Sequence, residues 1–290
     1  MTADLVLDCA NQHGEGILWS PRDGRLWWTD IHGQRLFWHD PRSAPPSGGS
    51  GSHDLPRRLC AFAPRARGGW LMAFADGIEL WTAGLTPERT LLVFEPDNAA
   101  TRLNDGRTDR LGRFVVGGMN EGTGAADSTV IRVNADLSVD RLISGVACAN
   151  STCFSPDGGT MYFADTPDRC IRAYPYGDSL DAARIFVDMA SEPGLPDGSC
   201  VDAEGGVWNA EWDGGQVIRI APDGRISHRI ALPVPKPTCC AFGGPDLATL
   251  YITTSRLGMT EDEIARAPLS GGLFAARPGF RGIEDIPFAG

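Results

Sequence analysis

Lysine is nearly absent from this 290-residue chain: Lys236 stands alone, inside Pro235-Lys236-Pro237. A Schiff-base mechanism would have to use that one amine, and a solitary lysine between prolines reads more readily as a solvated loop residue. Basic charge as a whole is short, since 26 Lys and Arg against 37 Asp and Glu leave a net charge of -11. Such a surface repels phosphate backbones and anionic headgroups, which argues against nucleic acid and membrane partners. No apolar run approaches the roughly 18 residues of a membrane-spanning helix, and the start MTADLVLDCA has neither the basic end nor the apolar stretch of an export signal. The eight cysteines contain no CxxC pair and lie scattered in apolar segments, a pattern of buried reduced thiols rather than a disulfide framework. The vicinal pair Cys239 and Cys240 reads as packing. These absences together predict a soluble, cytoplasmic protein, in which the sequon Asn150-Ser151-Thr152 has no enzyme to act on it.

Familiar catalytic signatures are missing as well. There is no GxSxG elbow, no HExxH, no P-loop and no GxGxxG after a strand, and the five histidines (His13, His32, His39, His53, His228) show no ligand spacing. No long amphipathic helix pattern appears either.

What the chain does have is an ordinary globular composition, 42% hydrophobic and 22% charged, laid out in short β-rich runs. RLWWT at 25–29, VIRV at 130–133 and LYITT at 250–254 are each bounded by Gly, Pro or Asp turns. The one low-complexity stretch, 43–53 (SAPPSGGSGSH), reads as an exposed loop between strands. A turn, an aromatic-rich strand, a second turn and another strand recur at 20–39, 155–174 and 202–220, at 109–133 with a longer second turn, and more loosely around 68–80 and 244–274. Six units spaced by roughly 41 to 47 residues predict four-stranded propeller blades. The expected fold class is therefore all-β, a six-bladed β-propeller that takes up residues 1–290 as one domain. Trp27, Trp28, Trp38, Trp81, Trp208 and Trp212 mostly fall in strands, where packing between blades is the expected role.

Aligning the units on their turn glycines places Glu15, Asn104, Asn150 and Asp197 at one phase, about eight or nine residues before Gly24, Gly112, Gly158 and Gly205. The corresponding places in the other two units fall near Cys60 and Thr238. Equivalent positions of propeller blades lie at one height around the axis, so the four oxygen-bearing side chains are expected to converge on a central metal site. Two carboxylates and two amides are hard ligands, suited to Ca²⁺, Mg²⁺, Mn²⁺ or Fe²⁺, with Zn²⁺ less favoured. Asp105 reads as structural, bonding turn amides. Asn120 and Glu121 follow a strand ending Gly117-Gly118-Met119, where a loop can drop side chains toward the site.

The chain resembles the senescence marker protein-30/gluconolactonase/luciferin-regenerating-enzyme-like family, which includes regucalcin and bacterial sugar lactonases. The resemblance runs from about residue 14 to 274 and is carried by Gly14-Glu15-Gly16 with Leu18-Trp19, and by Arg102-Leu103-Asn104-Asp105-Gly106 with Asp109 and Gly112-Arg113. Asn150 with Phe154-Ser155-Pro156-Asp157-Gly158, and Tyr162-Phe163-Ala164-Asp165-Thr166, continue it. It closes with Pro196-Asp197-Gly198, Val201-Asp202-Ala203-Glu204-Gly205, Ala241-Phe242-Gly243-Gly244-Pro245-Asp246 and Leu250-Tyr251-Ile252-Thr253-Thr254. It implies one divalent cation held by Glu15, Asn150 and Asp197, with Asn104 ligating or close by. It further implies that Arg102 and Glu121 contact substrate hydroxyls and that Asp197 is the base. Ser151 departs from the glycine that commonly follows the metal-binding Asn in this family.

The expected activity is hydrolysis of a sugar (aldono-) lactone to the aldonic acid in carbohydrate catabolism. A metal polarises the ester carbonyl and a neighbouring carboxylate takes the proton of the attacking water, so no covalent nucleophile is needed. The substrate-binding set is Arg102, Asn104, Asn120 and Glu121, and the partner is a small sugar lactone. The alternatives are a non-catalytic, regucalcin-like metal-binding propeller, or an arylesterase or phosphotriesterase using the same metal. Neither the particular lactone nor the oligomeric state is readable at this level.

Overall fold

The computed structural model describes residues 1–43 and 49–290. Short β-favouring runs between tight turns fold as antiparallel strands. β1 (Asp4–Leu7) stands apart from the segment that follows it. β2 (Gly14–Ser20), β3 (Arg25–Asp30), β4 (Arg35–His39) and β5 (Ser50–Asp54) pair in chain order as the first sheet. The second is β6 (Leu59–Pro64), β7 (Trp70–Phe74), β8 (Gly77–Trp81) and β9 (Pro87–Val93). The third is β10 (Thr101–Thr108), β11 (Phe114–Asn120), β12 (Ser128–Val133) and β13 (Val139–Val146). The fourth is β14 (Ala149–Phe154), β15 (Thr160–Asp165), β16 (Cys170–Pro175) and β17 (Arg184–Asp188). The fifth is β18 (Leu195–Val201), β19 (Val207–Trp212), β20 (Gln216–Ile220) and β21 (Ile226–Ala231). β22 (Pro237–Gly243), β23 (Thr249–Thr254) and β24 (Leu273–Ala276) make three strands of the sixth. Its fourth is β1, antiparallel to β24 with Asp4 opposite Ala275 and Leu5 opposite Phe274. Six four-stranded sheets among the described residues make this an all-β six-bladed β-propeller, the fold class the repeats predict.

Two compact units divide the chain. Residues 1–58 with 189–284 hold the first, fifth and sixth sheets, and residues 59–188 with 285–290 hold the second, third and fourth. In the first unit, Trp208, Phe242, Phe274 and Ile252 pack into one core and Trp19, Trp28, Tyr251 and Cys239 into another. In the second, Phe154, Phe163, Val115 and Tyr176 form a core between neighbouring sheets. Truncating such a buried aromatic costs about 3–5 kcal/mol, so the aromatic strands hold each unit together. All eight cysteines are free, and Cys239 and Cys240 are buried packing residues as expected.

One expectation about the strands needs correction. The stretch 43–53 is not a loop throughout: Ser50–Asp54 is strand β5, paired with β4, while 44–48 lies outside the described residues. A ladder on a sheet edge is built from main-chain groups, so Gly and Ser can fill it without an apolar signal. A short helix, α1 (Glu261–Arg266), lies between β23 and β24; Thr260 caps the Glu263 amide and Glu263 caps Thr260 in return. That Thr-x-x-Glu box was visible in the sequence. Among the described residues no helix is long and apolar enough to cross a membrane.

Candidate active site

The first strand of every sheet loses its register at the aligned position. Pairing slips between Glu15 and Leu18, Leu59 and Ala61, Leu103 and Gly106, Asn150 and Cys153, Pro196 and Ser199, and Pro237 and Cys240. A bulge leaves a residue outside the ladder and re-aims its side chain. Glu15, Cys60, Asn104, Asn150, Asp197 and Thr238 all stand in or beside these slips, and all six are buried.

Two of the six slips pass through left-handed backbone. Gly16, after Glu15, has φ +59°, and Ser151, after Asn150, has φ +61°. Glycine adopts this left-handed conformation freely, whereas a residue with a Cβ is strained by about 1 kcal/mol. Ser151→Gly should therefore raise stability by about 0.5–1 kcal/mol, read as a higher urea midpoint. A lower midpoint would show that the serine hydroxyl contributes more than the strain costs.

In the second unit, β10 packs between β6 and β14 and a single hydrogen-bonded run crosses its slip. Arg102 is only 4% exposed; its Nε donates to Glu121 Oε2 at 2.6 Å, and its Nη1 to Leu103 O at 2.9 Å and Asn104 Oδ1 at 2.8 Å. Asn104 Nδ2 donates to Ala149 O at 2.9 Å and Asn150 Oδ1 at 3.2 Å, and Asn150 Nδ2 donates to Thr166 Oγ1 at 2.8 Å. Both amide orientations are thus fixed by their partners. Asp105, buried, accepts the Thr152 amide at 2.7 Å and so ties β10 to β14, the structural role expected of it. Burial pushes its carboxyl above the ordinary range despite that bond.

Four of the predicted residues, Arg102, Asn104, Glu121 and Asn150, are therefore joined. The Arg102–Glu121 pair lies within one sheet rather than between blades. Asn120 stands outside the run. Its Oδ1 accepts the amides of Gly122 at 3.1 Å and Thr123 at 2.8 Å, and its Nδ2 donates to Asp127 at 2.9 Å. Asn120 thus shapes the turn that carries Glu121.

In the first unit, β22 packs between β2 and β18, the strands bearing Glu15 and Asp197. Glu15 Oε2 accepts the Gly16 amide at 2.8 Å, and the Asp197 carbonyl accepts Asn209 Nδ2 at 2.8 Å. Gly194 and Gln216 donate to Glu211, fully buried opposite Pro196, at 3.3 and 3.0 Å. Burial raises the Glu211 carboxyl above its usual value, and neighbouring Glu192 adds to this.

Lys236 corrects its expectation. It is 14% exposed, ion-paired with Asp213 at 3.0 Å, and its Nζ lies 4.2 Å from the centre of the Trp212 ring. A carboxylate and an aromatic face replace the water it was expected to keep. His13, beside Glu15 in sequence, meets the same Trp212 edge-on at 5.6 Å and His32 at 5.7 Å, and bonds Ser255 Oγ at 3.0 Å. These neighbours come from three sheets and left no sequence signal.

The donor chemistry fits a hard divalent cation. Asn150 Oδ1 accepts one bond from a neutral amide, and a carbonyl oxygen has a second lone pair. Asn104 Oδ1 already faces the Arg102 guanidinium, so a cation there would meet like charge. Among the described residues no three His, Cys, Asp or Glu side chains converge.

Residues 13–256 match the SMP-30/Gluconolactonase/LRE-like region family. The chain is 37% identical to an L-arabinolactonase of Azospirillum brasilense, covering 99% of this chain and 96% of the relative. It is 38% identical to a 6-deoxy-6-sulfogluconolactonase of Pseudomonas putida, covering 96% and 95%. Its fold superimposes on the crystal structure of a calcium-binding protein, regucalcin, from Agrobacterium tumefaciens with a TM-score of 0.91 at 29% identity, covering 99% of this chain and 97% of the other.

Proposed function

The chain belongs to the SMP-30/gluconolactonase/LRE-like family, and on that premise we propose that it is a sugar lactonase that opens an aldono-lactone to the aldonic acid. The observation that carries this reading is the run from Glu121 at the surface through buried Arg102 and Asn104 to buried Asn150. A protein that only bound a metal would need the amide at its end but not the arginine–carboxylate arm.

Glu15, Asn150 and Asp197 are the residues that would hold one divalent cation, with Asn104 orienting Asn150. When bound, that ion supplies polarisation of the lactone carbonyl and stabilises the oxyanion formed on attack. Asp197 takes the proton of the attacking water and returns it to the ring oxygen as the C–O bond breaks. Because the leaving oxygen remains tethered, nothing further has to be expelled. Arg102, with Nε and Nη1 engaged, offers Nη2 to a substrate hydroxyl, and Glu121 accepts from another. Asn120 enters through the turn it holds. One domain over 1–290 and a cytoplasmic location complete the reading, supported by the near-complete coverage of relatives and by the free cysteines.

The second reading, a non-catalytic metal binder, is favoured by the likeness to a calcium-binding regucalcin. A panel of pentono- and hexonolactones assayed with Ca²⁺, Mn²⁺, Mg²⁺ and Zn²⁺ decides between them. Rates no higher than spontaneous opening for every pair would leave the metal binder.

Arg102→Ala should act chiefly on KM. Its hydroxyl contact is made in both ground and transition states, and losing a charged hydrogen bond worth about 1.5–3 kcal/mol raises KM about tenfold to hundredfold. Glu121 is 35% exposed, so water can replace its lost partner. A variant that loses its fold while the folded fraction keeps its KM would make the pair purely structural.

A further inference from the structure

Asn209 lies in β19 opposite Ser199, the first residue of β18 to regain its pairing after the slip at Asp197 and Gly198. It is fully buried, and Nδ2 donates across the slip to the Asp197 carbonyl oxygen at 2.8 Å and to Ser199 Oγ at 2.9 Å. A slip takes a carbonyl out of the ladder, and a buried carbonyl needs a donor. Asn209 supplies it. From the other side Gly198 lies hard against β22, where an added Cβ would stand 2.6 Å from Cys239 Sγ and 2.9 Å from its Cα. The peptide plane between Asp197 and Gly198 is gripped from both directions, and that plane aims the Asp197 side chain.

The other sheets show what the position holds when it carries no such task. In the other five sheets the residue opposite the first position to regain its pairing is Trp27, Ala73, Val116, Tyr162 or Ile252. All are buried, as Asn209 is, and none carries an amide. The amide occurs only in the sheet that bears Asp197. Packing alone would favour an apolar side chain here, because burying an amide is costly unless it is hydrogen-bonded.

We infer that Asn209 is a positioning residue for Asp197, an inference that rests on the role assigned to Asp197 above. Asn209→Leu restores the kind of side chain the other five sheets carry, so the variant should melt within a few degrees of the parent. With Asp197 loosened, Mn²⁺ should bind the metal-free protein about tenfold to hundredfold more weakly, read by electron paramagnetic resonance titration. The kcat should fall by a similar factor while KM moves less. Should Asn209→Leu fail to fold, Asn209→Ala removes the same donor and is read by the same criteria. Parent-like Mn²⁺ affinity and kcat in the folded variant would overturn the inference. Asp197→Asn measured beside it separates the two layers. If that variant keeps parent-like affinity and kcat, the role of Asp197 has failed and the positioning inference falls with it. If it is impaired while Asn209→Leu is not, only the positioning inference is overturned.

Discussion

Replacing Asp197 by asparagine should lower kcat by about a hundredfold or more, the loss expected when a general base is removed. The substitution keeps an oxygen of nearly the same size in the same buried slip of β18, so some cation should still bind while the proton of the attacking water has no acceptor. Asn150→Asp should behave differently. It adds a negative charge to the ligand set without touching the base, so metal affinity should hold or tighten and kcat should fall far less. The surroundings tolerate it, because the Thr166 hydroxyl that now accepts from Asn150 Nδ2 can turn and donate to a carboxylate. Metal content and kcat measured on both variants separate ligand from base. Near-normal kcat in Asp197→Asn would show that another group takes the proton.

Stripping the metal should abolish turnover and lower the melting temperature together. Glu15 and Asp197 are both buried, and two carboxylates taken out of water are stabilised by a cation that binds the folded state alone. At a cation concentration a hundredfold above Kd the contribution is about 2.7 kcal/mol, a drop of several degrees in a chain of this size. Turnover that survives chelation, with the metal content confirmed at zero, would sink the metal-dependent reading. An unchanged melting temperature in the same sample would show that the carboxylates are neutralised from within the chain.

How much of this was legible in the sequence depends on whether the signal is local. The six units were readable because each repeats a turn and an aromatic strand, and the turn glycines also put Glu15, Asn104, Asn150 and Asp197 in phase; the register slips occur at those places. β5 was not readable, since an edge strand of Ser and Gly carries no apolar alternation. The partner of β1 was not readable because it lies at the opposite end of the sequence. Arg102 was recognisable as a site residue, but its hold on Asn104 depends on side-chain directions that spacing does not report. Lys236 was misjudged for the same reason: Trp212 and Asp213 reach it from another sheet. Asn209 carries no signal in the sequence, because the carbonyl it bonds is set apart only by a slip in the ladder.

The pairing of Asp4 with Ala275 sets an order of events during synthesis. A ribosome adding about 5–20 residues per second makes β1 first and β24 last, roughly a quarter of a minute to a minute later. Through that interval β1 has no native neighbour in its sheet. Its brevity and the charge of Asp4 limit what else it can join while it waits. The sixth sheet thus joins strands far apart in sequence, and it is the last of the six described sheets whose strands are all made. Five blades have all their strands before the sixth does, and the sixth closes only once β24 has been made.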